Sequence, residues 1–470
     1  MEKNYEMEHL EKYKPFPFVK NAECVNNDRV YGQIYLDEWV NLGKKDGGII
    51  RISASLVNKQ MLNMEYEAIE SEPTPLFFYE FRGEMTYDGE AKSLEMMLRN
   101  IHDIQNIKNG KEPDNFYLIR IIDTETIGGN LENVIKEYGY KLAFEGEITF
   151  SASPVLSRKV IIVVEDRADD EACKKLSKIY SSWNKNIKSK CVYDEQIIIS
   201  ELGRLFDSRV KGCEVRIYNV GQANCCYCDL KTKKIFFDIG VTRSAEDIKT
   251  STVHSAVKEI STLDVDAVIL SHWDLDHILG VCCNQHCLKE KIWIVPDFEK
   301  MYSQPTASIK RLCNYLIKDG KSKLFMVDTS QENKKDKPFF ESSNKAVTIY
   351  KGELRASHGV NKRNNGGLLL KLENNRNILL PGDCENQVIL KVTGANQYDN
   401  VLVPHHGAVM SEPTFRGKKG KKNAAYISCG KITGNCKLDD KIVTKYKAKG
   451  FKYIRKTKNL TVRNKYCVNL

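Results

Sequence analysis

The spacing of apolar and polar positions divides the chain into three stretches. In the first, apolar or alternating runs predict strands at Gly48–Val57, Pro75–Tyr87, Phe116–Ile122 and Lys159–Val164. Between them Leu94, Met97, Leu98, Ile101 and Ile104 recur at helical spacing, so residues 1–166 read as an α+β domain. From Ala168 to Lys211 the pattern becomes helical and charged. Ala172, Leu176, Ile179 and Trp183 form one stripe, and a second helix is predicted from Glu195 to Phe206, giving a helical connector over residues 167–211. From Gly212 to Leu470 short apolar strands end in polar, metal-competent residues. Ile235–Phe237 runs into Asp238, Ala267–Leu270 into His272, Asn377–Leu380 into Asp383, and Asn400–Val403 into His405 and His406. Layered α/β folds bring strand ends together along one edge, so residues far apart in sequence can meet there.

Composition sharpens this picture. With 470 residues and 41% hydrophobic content, the chain has material for two or three cores. No apolar run approaches the roughly 20 residues of a membrane helix, and the chain starts without a secretory pattern. The 15 cysteines, with pairs such as Cys225-Cys226, suggest packing residues in a reducing compartment, so a cytoplasmic protein with no membrane association is expected. The net charge of +10 is uneven. The 59 residues from Glu412 hold 17 Lys/Arg against 3 Asp/Glu, which leaves a net −4 for the rest. Such a segment could steer a phosphate-rich partner, a nucleic acid or a nucleotide.

The densest chemistry lies in Ser271-His-Trp-Asp-Leu-Asp-His-Ile-Leu-Gly280, where His272, Asp274, Asp276 and His277 follow a buried strand. Imidazole and carboxylate suit borderline and hard divalent cations, and four such groups exceed what one ion needs from one loop. A paired-metal site is therefore expected. Elsewhere, Cys282-Cys283-Asn284-Gln285-His286-Cys287 lacks the separated pairs of a structural zinc site and reads as packing. His9, His102 and His254 are isolated, and Cys384 reads as packing. Asp238 reads as a hydrogen-bonding brace for the ligand loop.

These segments resemble the metallo-β-lactamase-fold hydrolases, and among them the soluble C-terminal domain of the competence protein ComEC, over about residues 212–470. Val220-Gly-Gln-Ala-Asn224 resembles the family's opening turn, with Asn224 in place of an acid, and Phe237-Asp-Ile-Gly240 resembles Leu-Asp-x-Gly. Ser271–Gly280 is similar to Ser-His-x-Asp-x-Asp-His-x-x-Gly. Leu379-Leu-Pro-Gly-Asp383 is similar to the metal-bridging Gly-Asp, and His405-His-Gly407 to His-His-Gly-Ser, with Ala408 replacing the serine. The resemblance implies an αββα sandwich behind the α+β domain. It implies two divalent metal ions, Zn²⁺ or Mn²⁺, with His272 and Asp274 on one and Asp276 and His277 on the other. Asp383 would bridge them, and His405 or His406 would complete the second site. His358 is a further candidate ligand, since the broader fold often supplies a histidine there. Asp276 and Asp383 are the expected catalytic carboxylates.

The implied reaction is hydrolysis by a water activated between the ions, with a phosphodiester as the best-fitting substrate, so a nuclease or phosphodiesterase is expected. Two alternatives stand beside it. One is a small-molecule thioester, ester or lactam hydrolase. The other makes residues 1–166 a recognition or protein-partner module gating a nuclease effector, an arrangement suited to bacterial defence.

Overall fold

A computed structural model describes residues 29–43, 47–57, 79–87, 117–123, 142–150, 153–167, 170–207, 212–242, 247, 250–301, 307–317, 322–330, 337–353, 362–395, 397–408, 410–419, 422–430 and 440–470. The chain is a mixed α/β protein with several sheets, and it divides into two compact units, Met1–Ser189 with Ser303–Tyr315, and Lys190–Tyr302 with Leu316–Leu470. No helix among the described residues is long and apolar enough to cross a membrane.

The first unit contains β1 (Arg29–Gly43), β2 (Gly47–Val57), β3 (Tyr79–Tyr87), β4 (Tyr117–Asp123), β5 (Leu142–Phe150) and β6 (Ser153–Arg167). They close into an antiparallel barrel in the order β1-β2-β3-β5-β6-β4. Ile34, Ala54, Leu56, Ile119, Ile121, Ile161 and Ile162 are fully buried, and the pairs Ala54/Leu56 and Ile119/Ile121 keep the two-residue period of inward positions in a small barrel. Four of these strands are legible as apolar runs, whereas β1 and β5 are not, and neither is the closure. The register of β1 shifts between Leu36 and Glu38, which breaks the two-residue period. The expected helix through Leu94–Ile104 lies outside the described residues. Helix α1 (Asp170–Lys190) buries Ala172, Leu176, Ile179 and Trp183, the stripe anticipated from spacing. The helix Ala307–Ile317 meets it through Asn186 Nδ2, which donates to Asn314 Oδ1 at 2.8 Å, and through the Arg311 guanidinium 5.8 Å from the Trp183 ring.

The second unit opens with α2 (Glu195–Phe206), capped by Asp194, whose side chain accepts from the Gln196 and Ile197 amides. The strands β7 (Glu214–Tyr218), β8 (Cys225–Asp229), β9 (Lys234–Ile239), β10 (Ala267–Ile269), β11 (Ile292–Pro296) and β12 (Lys323–Val327) follow, with α3 (Ser251–Ile260) and α4 (Leu275–Ile278) between them. Then come β13 (Phe340–Glu341), β14 (Val347–Lys351), β15 (Leu368–Glu373), β16 (Asn377–Leu380), β17 (Gln397–Tyr398), β18 (Asn400–Leu402), β19 (Arg416–Gly417), β20 (Ala424–Ile427), β21 (Tyr453–Lys456) and β22 (Lys465–Asn469), with α5 (Asn386–Thr393) and α6 (Ile442–Ala448). One seven-stranded sheet has the order β12-β11-β10-β9-β8-β7-β22, the other β13-β14-β15-β16-β18-β20-β21. The two share one core. Phe237, Ile269, Ile294 and Phe325 of the first sheet cluster with Ile349, Leu370, Leu380 and Leu402 of the second, and α2 adds Ile198 and Leu202. Each such side chain contributes about 1.5–3 kcal/mol of burial. Leu379, Val401 and Ala425, on the outer face of the second sheet, pack with Val388, Ile389 and Tyr446 from α5 and α6.

Direction matters most for the site. Strands β9 to β12 run parallel, and so do β16, β18, β20 and β21. The loops leaving the C-terminal ends of each parallel set therefore emerge on a common edge.

Candidate metal centre

His272 and Asp274 lie in the turn after β10, and Asp276 and His277 lie on the single-turn α4, where Asp274 is the N-cap residue. Asp383 follows β16 through Pro381 and Gly382, and His405 and His406 follow β18. Close backbone approach is required where these loops meet. A Cβ on Gly382 (φ 58°) would stand 2.5 Å from Ser271 Cβ, and one on Gly240 would stand 1.7 Å from the Asp276 carbonyl oxygen. His405 (φ 51°) and His406 (φ 54°) both adopt the left-handed conformation, which is costly for a side chain bearing a Cβ and typical of functional sites.

The ligand-competent atoms fall into two groups, each within 4.8 Å of one another: His272, His277 and Asp383; and Asp276, His277 and His406. His277 Nε2 lies 3.3 Å from Asp383 Oδ1, and His272 Nε2 3.9 Å from Asp383 Oδ2. His406 Nε2 lies 3.1 Å from Asp276 Oδ2 and 3.8 Å from Asp383 Oδ1. Of the two adjacent histidines, then, His406 joins a group. The partly exposed His405 joins neither, although its Nε2 is 3.8 Å from Asp383 Oδ2. Asp274 faces His272 with an oxygen 3.8 Å from its Nε2 and also stands outside both groups. His358 lies outside the described residues.

What points the imidazoles inward is a set of contacts behind them. Asp238, fully buried at the end of β9, accepts from the Ser271 amide at 2.6 Å, from Ser271 Oγ at 2.8 Å and from His277 Nδ1 at 2.8 Å. Ser271 Oγ directs its hydrogen to Asp238 and so accepts from His272 Nδ1 at 3.0 Å. His406 Nδ1 donates to the Ser428 carbonyl at 3.3 Å. All three Nδ1–H groups are thereby committed outward, so each imidazole in its neutral form carries its lone pair on Nε2. Those three Nε2 atoms are buried and make no hydrogen bond of acceptable geometry, despite the nearby carboxylates. Burial of unsatisfied polar atoms is costly, about 1–3 kcal/mol each, and a cation at their focus would relieve it.

Electrostatics tell the same story. Burial alone would raise the Asp383 and Asp276 carboxyls. Instead His277, His406 and His405 around Asp383, and the His406 contact with His277 around Asp276, hold both well below the usual carboxylate range. Burial pulls His277 down, but Asp383 and Asp238 outweigh it and hold its imidazole well above the ordinary histidine value. For His272 burial and the neighbouring His277 prevail, and its pKa is lowered.

Three participants have roles that no motif assigns. Ser271 and the Ser428 carbonyl act only through the imidazoles they orient. Asn224, fully buried after the Val220–Asn224 turn, donates to Asp383 Oδ1 at 3.5 Å. The His286 segment is a short 3₁₀ turn (Gln285–Leu288) with an exposed imidazole over buried Cys287, and it contributes no ligand group among the described residues.

Comparison with known proteins returns little. No protein-family model and no curated protein matches the chain. Among solved structures it is similar to a crystal structure of a new diphosphatase from the PhnP family, with 7% identity and a TM-score of 0.28 over 55% of this chain and 97% of that one. A TM-score of 0.28 does not establish a shared fold.

Proposed function

We propose that the second unit is a metal-dependent hydrolase of the metallo-β-lactamase type that holds two divalent cations, Zn²⁺ or Mn²⁺, and cleaves phosphodiesters. The observation that carries this reading is the convergence of three buried, hydrogen-bond-deficient Nε2 atoms, from His272, His277 and His406, on the carboxylates of Asp276 and Asp383. The residues present fit the group: neutral imidazoles and ionised carboxylates are the donors such cations take. His272 and Asp274 would serve one cation, and Asp276, His277 and His406 the other. Asp383, with one oxygen near His277 and the other near His272, would serve both. When bound, the cations would supply Lewis acidity and lower the pKa of a water from about 15.7 towards about 7.

The protein's own part is to prepare that site. Asp238 and Ser271 hold two imidazoles in their ligating tautomer, and the Ser428 carbonyl holds the third. Asp238 and Asp383 also favour the protonated form of His277, so a proton and a cation would compete for its imidazole. A phosphodiester is favoured over a neutral ester because its charged non-bridging oxygens match a cationic centre, and because the 59 residues from Glu412 carry +14. The test is hydrolysis of bis(p-nitrophenyl) phosphate and of single- and double-stranded oligonucleotides with added Mn²⁺ or Zn²⁺, in the wild type and in Asp383→Asn. Turnover in the wild type that falls by about 10²-fold or more in the variant supports the reading. Undiminished turnover in a folded variant refutes it.

A further inference from the structure

Among the described residues strand β21 is the edge strand of the second sheet, and exposed Tyr453 and Arg455 share one of its faces, with Ile454 and Lys456 on the other. Tyr453 is 45% exposed, unusual for a large aromatic in this protein, and Arg455 is exposed two residues on. The Arg455 guanidinium lies 5.7 Å from the Tyr453 ring and 5.6 Å from the ring of Tyr466, which belongs to β22 of the other sheet. The guanidinium thus lies near both rings, linking an end strand of each sheet among the described residues. Exposed Lys452 precedes it, and Lys456 and exposed Lys458 follow it.

The strand also leads somewhere. Register pairs Leu379 with Val401, Val401 with Ala425, and Ala425 with Ile454 in one row across four parallel strands. Four residues beyond each stand Asp383, His405, Cys429 and Lys458. Lys458, in the 3₁₀ turn Thr457–Asn459 just past β21, therefore leaves the sheet on the same edge as the candidate metal centre. Tyr453 lies about 10 Å back along the strand from Lys456 at the ordinary rise per residue.

We propose that β21 is a binding track for single-stranded nucleic acid that delivers the chain to the metal centre. Bases stack on Tyr453, stiffened by Arg455 and Tyr466, while Arg455 and Lys458 neutralise phosphates on either side. Stacking on aromatics with interleaved cations is how sequence-tolerant single-strand binding works, because every base has a face and every link a charge. The track has no geometry for base-edge readout, so it selects single strands over duplex, whose bases are already stacked. This deepens the hydrolase reading and rests on it, since it names the phosphodiester that reaches the centre.

The experiment is fluorescence anisotropy of the full chain with labelled oligothymidylate and oligouridylate of about 12 nucleotides, in EDTA so that no cleavage occurs and no cation is required. The wild type is expected to bind either oligomer more tightly than the matching duplex. Tyr453→Ala should weaken binding by about fivefold or more, and Tyr453→Trp should restore it. Lys458→Gln, at an exposed position, should lower the slope of log affinity against log salt by about 0.7, the value for one phosphate contact on a single strand. Wild-type-like affinity and salt slope in Tyr453→Ala and Lys458→Gln, or no preference for single strands, would overturn the proposal. Because the assay is metal-free, failure of the hydrolase reading would show separately, as absence of cation-dependent turnover in an intact binder.

Discussion

Replacing Asp238 by Asn tests how the centre is built without touching a ligand. The buried carboxylate accepts three hydrogen bonds, two of them on Oδ2 from Ser271 Oγ and His277 Nδ1. An asparagine keeps one acceptor oxygen for the Ser271 amide and places an NH₂ where Oδ2 was. Ser271 Oγ can rotate to accept from it, but the His277 Nδ1–H then faces a donor. A buried donor left unpaired costs about 1–3 kcal/mol, and losing the charge-assisted bonds adds a similar amount, so a loss of about 2–4 kcal/mol is expected. The imidazole escapes by moving its proton to Nε2, the atom needed for a cation, and metal affinity should fall by about 10- to 100-fold. Chelator-competition titration with Zn²⁺ reads the affinity, and urea unfolding reads the stability. The pH dependence separates orientation from simple unfolding. Asp238 helps hold the His277 pKa above its ordinary value, so in the folded variant proton competition against the metal should cease at a lower pH than in the wild type. Wild-type affinity in a folded Asp238→Asn protein would refute the argument that these outward contacts set the ligating atoms.

Other outcomes follow from particular residues. His406→Ala should lose a cation by elemental analysis, whereas His405→Ala should keep the wild-type metal content, because only His406 shares a ligand group with Asp276 and His277; equal loss in both would contradict that placement. Burial raises the Asp297 carboxyl to about 6, against the opposing hydrogen bond from the Glu299 amide. A carboxyl raised by folding costs stability above that pKa, and the cost vanishes as pH falls below the unfolded value near 4. Asp297→Asn keeps the acceptor and loses the charge, so it should stabilise the protein by about 1–2 kcal/mol at pH 8, allowing for solvent screening, and not at pH 4. Unfolding midpoints that shift equally at both pH values would exclude this cause.

Local periodicity was enough to reveal some elements and not others. The helix Glu195–Phe206 is legible because Ile198, Leu202 and Leu205 keep helical spacing behind an Asp194 cap. The strands that end in Asp238, His272, Asp383 and His405 are legible because uninterrupted apolar runs stop abruptly at polar groups. Closure of the first unit into a barrel, and the return of β22 to pair with β7, depend on contacts between distant segments that no local pattern encodes. Within the site, residue types announce a cation centre, but spacing could not separate His405 from His406. That distinction comes from two consecutive left-handed residues, which send adjacent side chains to different partners. Asn224, Ser271 and the Ser428 carbonyl act by hydrogen bonding to groups elsewhere in the chain. Only the folded arrangement shows what each one holds.

The central claim is that the edge of the second unit grips a pair of cations through shared carboxylate and imidazole. The most direct measurement is metal stoichiometry by inductively coupled plasma mass spectrometry, on the protein dialysed against Mn²⁺ or Zn²⁺, for the wild type and His277→Ala. The account predicts two cations per chain in the wild type and a loss of metal in the variant, since His277 belongs to both ligand groups. A wild-type chain that retains no cation, or a His277→Ala chain that retains the full complement, would contradict it.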